Sequence, residues 1–474
     1  MRKARIGGIV LALATTLLMA AAARGQTDVE GLPSQPPSEA ARAVRILAEG
    51  LREHAALPGL VIAVDVEGRI AFSEGFGMAD LESGAPATAT TRFRIGSVGK
   101  SLTAAGALLL AERGRLDLDA RVDRYVPAGA AGAATPRQLA GHLGGVRHYR
   151  ADDFLVTAHY DDIVDALALF VADSLVAPPG TRYAYSTHGY TLLSAVMQAA
   201  AGEPFLAWME REVFAPLGMR ATGPDDVTAV VPRRAAFYRI EEGGIVPARF
   251  TDNSYKWAGG GFLSAAEDLA RFGAALLDGT LLGAGGAERL FASQRTSEEE
   301  TGYGMGFRPR RDWEGRRVVH HGGSAEGGRA FLLLYPEERV VVALAANREN
   351  APLFEQEAQE VAHFFLEHDR AGGGALDDSL SGTWRFEGAH GDDAVAGELR
   401  LHAKGSIRGM LDWSEAQAPI RILLVDRHGE RLRLVGVGPH GLMNAWLAPV
   451  EDGWSGRWDY LGKGGELRLE RAGA

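Results

Sequence analysis

Two strand pairs set far apart along the chain constrain its fold more than any other feature. Early on, GLVIAVDV (Gly59 to Val66) and RIAFSEGFG (Arg69 to Gly77) are β-branched or alternating runs joined at Glu67-Gly68, a hairpin signal. Far downstream, RAFLLLYP and RVVVALAAN flank a tight Pro336-Glu337-Glu338 turn and precede an amphipathic stretch from Leu353 to His368. The early and late strands are predicted to share one antiparallel sheet. Between them the pattern is mostly helical, over Ser97 to Arg113, Asp162 to Asp173, Tyr190 to Ala201 and Ala265 to Leu277, with a further helix from Glu39 to about His54. This is an α/β arrangement in which a helical subdomain is inserted into an antiparallel sheet, and the cleft between the two layers is a natural ligand site.

The glycine-rich, acidic AGGGALDDSLSG marks a linker over residues 371–380. Beyond it, residues 381–474 read as short alternating strands between glycine turns: ELRLHAKG, IRILLVDRHG, RLRLVGVG, GLMNAWLA, GRWDYLG and GELRLERA. They predict a small all-β barrel or sandwich. The Gly-x-Trp units around Trp384 and Trp458 are read as core tryptophans.

The first residues place Arg2, Lys3 and Arg5 before an apolar run that ends in small Ala22, Ala23 and Gly25. This is the pattern of a signal peptide over residues 1–25, followed by a polar tether over 26–38. A periplasmic or secreted location is expected, with no membrane span once the leader is cut. The chain has no cysteine, so neither disulfides nor thiolate metal sites can hold it together and the core must suffice. The formal net charge of −11 disfavours nucleic acid as a partner. No HExxH or comparable ligand spacing occurs among the histidines, so no metal and no cofactor are expected.

The candidate chemistry lies in FRIGSVGKSLTAAGALLLAERG, where Ser97 and Lys100 occupy positions i and i+3 at a predicted helix start. Residues so spaced share one helical face, so the lysine reaches the hydroxyl. A serine hydroxyl is a weak nucleophile that needs a base, and a lysine serves if burial or nearby positive charge keeps it neutral. Alone, Ser-x-x-Lys is a common coincidence; an exposed lysine after a capping serine reads the same way. Gly99-Lys100-Ser101 ends like a phosphate-binding loop, but Arg94 stands where its first glycine belongs. Ile95 likewise breaks Gly-x-Ser-x-Gly.

From Ala41 to Leu366 the chain resembles the serine β-lactamase-like family, which includes class C β-lactamases, D-alanyl-D-alanine carboxypeptidases and related esterases. The words that carry the likeness are FRIGSVGK with the ERGRLDLDARVDRYVP that follows it, LGGVRHY (Leu143 to Tyr149), YSTHGYTLL (Tyr185 to Leu193) and HGG (His321 to Gly323). Of these, LGGVRHY and YSTHGYTLL look closest to the mitochondrial β-lactamase-like serine proteases and their bacterial relatives. The resemblance implies a β-lactamase/transpeptidase-like fold over residues 39–370. It makes Tyr185 a second base, with a phenol acidified by nearby Lys100, and Thr187 a substrate-binding hydroxyl where the family usually carries Asn. It makes His321 the donor or cation of the third motif, with Gly322 and Gly323 admitting substrate to the strand, and it puts the oxyanion hole on the backbone N–H groups of Ser97 and Ser324. His320, next along the strand, should point to the opposite face. His142 and His148 are read as structural, and Trp257 to Phe262 and Tyr303 to Phe307 as shaping the cleft.

The expected activity is that of an exported serine hydrolase with an acyl-enzyme at Ser97, acting on peptides, D-amino-acid peptides, esters or amides rather than efficiently on β-lactams. The alternative is a penicillin-binding-like sensor or a filament-forming scaffold with little turnover, and self-association is compatible with either.

Overall fold

Val61, Ile62, Ala63 and Val64 alternate between the two faces of one strand, and both faces are buried. A strand covered on both sides must lie inside a sheet, and the topology shows why. The structure is a computed structural model that describes residues 39–150, 153–353, 355–366, 380–402, 409–413, 419–428, 430–438, 441–460 and 463–472. The expected leader, tether and, Leu380 apart, linker lie outside these residues.

Helix α1 (Glu39–His54) leads into β1 (Gly59–Val66), β2 (Arg69–Asp80) and the short β3 (Ala85–Pro86). The principal helices that follow are α2 (Gly99–Glu112), α3 (Thr187–Ala201) and α4 (Ala266–Leu277). The chain then returns through β4 (Arg308–Arg311), β5 (Arg317–Ala325), β6 (Gly328–Tyr335), β7 (Val340–Ala346) and α5 (Glu355–Leu366). One sheet runs in the order β3-β2-β1-β7-β6-β5-β4, and its β1 and β7 pair antiparallel, with Ile62 opposite Leu344. The early and late strand pairs thus meet at the sheet's centre.

Alternate residues of the sheet feed two cores. Val61, Ala63, Leu332 and Val341 pack with Leu102, Leu108 and Phe272 of the helical layer. Leu60, Ile62, Leu333 and Val342 pack with Val44, Leu47 and Leu51 of α1 and Val361 of α5. Differences from the sequence reading are local. Residues 162–173, expected as a helix, hold only a 3-10 turn at Asp165–Leu169. The edge strand β4 gave no alternating signal, because its four residues are Arg, Pro, Arg and Arg.

The C-terminal region is a closed eight-stranded barrel. Its strands are β8 (Gly382–His390), β9 (Asp393–Leu401), β10 (Gly409–Trp413), β11 (Ile420–His428), β12 (Arg431–Gly438), β13 (Gly441–Val450), β14 (Gly453–Tyr460) and β15 (Lys463–Arg471). Closure removes the exposed edges that an open sheet would present. Trp384 and Trp458 lie in its core. The barrel also buries Leu423, Val435 and Leu442 against the α1 and α5 side of the sheet, the face away from α2. Buried Arg433 and Glu360 pair across this junction, and Asn444 Nδ2 donates to Glu360 Oε2 at 2.6 Å.

Candidate active site

Ser97 lies on a 3-10 turn, Gly96–Val98, that runs directly into α2. Fully buried Lys100 falls one turn later, in the first turn of α2, with its Nζ 3.0 Å from Ser97 Oγ, 3.0 Å from Thr187 Oγ1 and 2.5 Å from the Gly259 carbonyl oxygen. Burial, with the neighbouring Lys256 as the next cause, holds Lys100 well below its ordinary value. An uncharged amine has two hydrogens and one lone pair. It can donate to Gly259 O and Thr187 while accepting from the Ser97 hydroxyl, so all three contacts suit the neutral form.

Thr187 and Tyr185 are brought to this point by the start of α3. Ser186 caps the helix by accepting from Gly189 N at 2.8 Å, which fixes the residues on either side of it. His142 Nδ1 accepts from Ser186 N at 3.1 Å, and His148 Nδ1 accepts from Thr187 N at 3.2 Å. Both imidazoles must be neutral to accept, and burial does hold both low, His148 at about 4. These histidines position the loop.

The Tyr185 side chain adjoins that of Ser97, and Lys100 Nζ sits 5.0 Å from the centre of its ring. Its expected acidification by Lys100 is not what the structure gives. Burial pushes the phenol above its ordinary value and outweighs the lowering by Ser97, and Lys100, itself held low, supplies little charge to oppose this. Tyr185 therefore stays protonated where Lys100 does not.

His321 also departs from expectation. Its Nδ1 lies 2.7 Å from Gly322 O and its Nε2 lies 2.9 Å from Tyr303 Oη. The ring donates to the carbonyl and accepts from the phenol, with both nitrogens engaged. Burial keeps it well below its ordinary value, so it offers no cation. Its neighbour His320 faces the other way, stacked on Phe331 and 3.3 Å from Glu355 of α5.

The end of β5 presses its backbone against the Ser97 turn. A Cβ on Gly323 would stand 1.9 Å from Ile95 O and 3.1 Å from Ser97 N, and one on Gly96, whose φ is +49°, would stand 2.6 Å from Ser324 N. Only glycine fits at either position, and the result is that the Ser97 and Ser324 amides come close together. Ser97 and Gly322 are half-buried and Ser324 is exposed, so this is where the cleft opens.

Sequence reasoning left out Lys256, Tyr149 and the bonding role of Tyr303. Tyr149, half-buried, has its phenol acted on by the side chains of Thr187 and Tyr255. Lys256 is buried, with its Nζ 4.9 Å from the Phe154 ring centre, 5.0 Å from that of Tyr255 and 5.4 Å from that of Tyr149. The usable signal was a lysine flanked by aromatic residues in NSYKWAGGGF, a stretch otherwise suited to a core.

The Beta-lactamase family profile matches residues 44–364. The mitochondrial serine beta-lactamase-like protein LACTB of Homo sapiens is 30% identical over 408 residues, covering 65% of this chain and 74% of its own. A D-aminopeptidase of Gluconobacter oxydans is 28% identical over 301 residues, covering 61% of this chain and 56% of its own. Among solved structures, the octameric penicillin-binding protein homologue from Pyrococcus abyssi superposes with a TM-score of 0.61 at 20% identity, over 91% of this chain and 100% of that one, a likeness of fold. With a profile that spans residues 44–364, most of its length, the chain belongs to the beta-lactamase family of serine hydrolases.

Proposed function

We propose that this chain is an exported serine hydrolase that forms an acyl-enzyme at Ser97 and turns over peptides, D-amino-acid peptides, esters or amides. The observation that carries this reading is the 3.0 Å approach to Ser97 Oγ of a buried Lys100 that burial holds well below its ordinary value. In the acylation step Lys100 takes the Ser97 proton as Oγ bonds the substrate carbonyl carbon. The carbonyl oxygen gathers negative charge and is held by the Ser97 and Ser324 amides. Tyr185, kept protonated, donates to the leaving amine or alkoxide as the bond to carbon breaks, and recovers a proton from Lys100. Water then replaces the leaving group and the steps reverse.

Poor activity on β-lactams follows from the second and third motifs. Thr187 offers one donor where an amide offers two, and His321 is occupied by Tyr303 and Gly322. A cation lies nearby in Arg308 of β4, whose guanidinium stacks 5.0 Å over Tyr303 and donates to Tyr183 Oη at 3.3 Å. No ion pair among the described residues uses Arg308, which leaves it free for a substrate carboxylate. The D-aminopeptidase relative supports the peptide and amide classes. Export rests on the leader, and self-association on the octameric relative.

Purified full-length protein assayed against esters, D-peptides and β-lactams, beside its Ser97→Ala variant, tests this reading. Turnover of at least one acyl substrate that Ser97→Ala abolishes is expected. A long-lived adduct without turnover would instead support the sensor alternative.

A further inference from the structure

Lys256 is a second buried lysine close to Lys100, and the reaction as described does not use it. It lies just before the four-residue helix Trp257–Gly260, whose Gly259 carbonyl accepts from Lys100. The side chain is 3% exposed and boxed by Tyr149, Phe154 and Tyr255. Such a box attracts an ammonium through the ring faces.

The groups around it leave that charge without a carboxylate of its own. Asp225 is held by Arg94 at 2.7 Å, Asn253 at 2.8 Å and Arg234 at 3.5 Å, and Glu326 by Arg249 at 2.9 Å. Asp153, which acts on Tyr149 and Tyr255, is bound to Arg147 and to His188. His148 faces both lysines and is itself uncharged near neutral pH. Among the described residues no ion pair includes Lys256. The two lysines are further linked through Tyr149, which forms one wall of the box and has its phenol acted on by Thr187, whose Oγ1 lies 3.0 Å from Lys100 Nζ.

We propose that Lys256 is a positioning residue that holds the site's buried positive charge, so that Lys100 works as the uncharged amine. When the site takes up a proton, the aromatic box receives it at Lys256, and repulsion between like charges then resists a second proton at Lys100. Lys256 has ring faces that suit an ammonium. The tendency of Lys256 to titrate at about 7 and the lowering of Lys100 by Lys256 agree with this division. The proposal rests on Lys100 being the base for Ser97.

The test is the rate of Ser97 labelling by a fluorophosphonate as a function of pH, in the full-length protein and in Lys256→Met, Lys256→Gln and Lys256→Arg, with thermal melts to establish folding. Loss of the charge should move the acidic limb of the profile to higher pH by about one unit, close to a tenfold loss of rate on that limb. Lys256→Arg, charged at every pH, should keep the limb in place or move it to lower pH, even if it is the only variant that folds. A folded Met or Gln variant with an unmoved limb, or an arginine variant with its limb at higher pH, would overturn the proposal. A native protein that takes no label at any pH would refute the Ser97 reading instead.

Discussion

Lys100 Nζ stands 3.0 Å from Ser97 Oγ, and the same serine acts on the Tyr185 phenol. Burial acts on the two groups in opposite senses, removing the charge of the lysine and keeping the proton on the tyrosine. The nucleophile therefore sits between a base and an acid, and the expectations below follow from that asymmetry.

Lys100→Met should slow Ser97 acylation by about 10²–10⁴-fold, the usual worth of a positioned base. In the native protein the amine is the working form, so activity should rise with pH through the Lys100 transition. Because that group is lowered, the rise should be complete well before the ordinary lysine range. A pH profile of acylation checks both points.

Tyr185→Phe should cost most where the leaving group needs a proton. An amide or peptide substrate should lose roughly 10²–10³-fold in kcat, and an activated aryl ester far less. Equal losses on both substrates would mean that Tyr185 acts on Ser97 itself. Paired steady-state assays separate the two.

Gly323→Ala places a methyl 1.9 Å from Ile95 O, and the strand must move to admit it. Acylation should fall sharply, and stability by about 2 kcal/mol or more, read as a lower midpoint in denaturant.

Acid should destabilise the fold before it protonates the site. His148 and His188 are each held at about 4, and His142 and His321 are also lowered by burial. Each binds a proton in the unfolded chain at higher pH than in the folded one. Stability should therefore decline as pH falls from about 6.5 toward 4. Thermal melts across that range would show a falling midpoint.

The sheet and the nucleophile turn were legible because their signals are local. Periodicity marks β1, β2, β6 and β7, and a three-residue spacing puts Lys100 over Ser97. The rest depends on contacts that sequence does not display. The state of Tyr185 is decided by burial against Ser97, His142 and His321 rather than by the nearest cation. His321 looked like a free donor until Tyr303, eighteen residues earlier, was found on its Nε2. Lys256 looked like an ordinary polar residue in a glycine-rich stretch, and only three rings from two segments reveal its setting. Edge strand β4 lacked alternation because none of its four residues, Arg, Pro, Arg and Arg, is buried in a core.

The central claim is that Ser97 is the acylated nucleophile, and intact-mass analysis with peptide mapping after fluorophosphonate treatment tests it most directly. One adduct per chain is expected, located on the peptide that contains Ser97, absent from Ser97→Ala and strongly slowed in Lys100→Met. No adduct under conditions that label a control serine hydrolase, or an adduct that survives in Ser97→Ala, would contradict it.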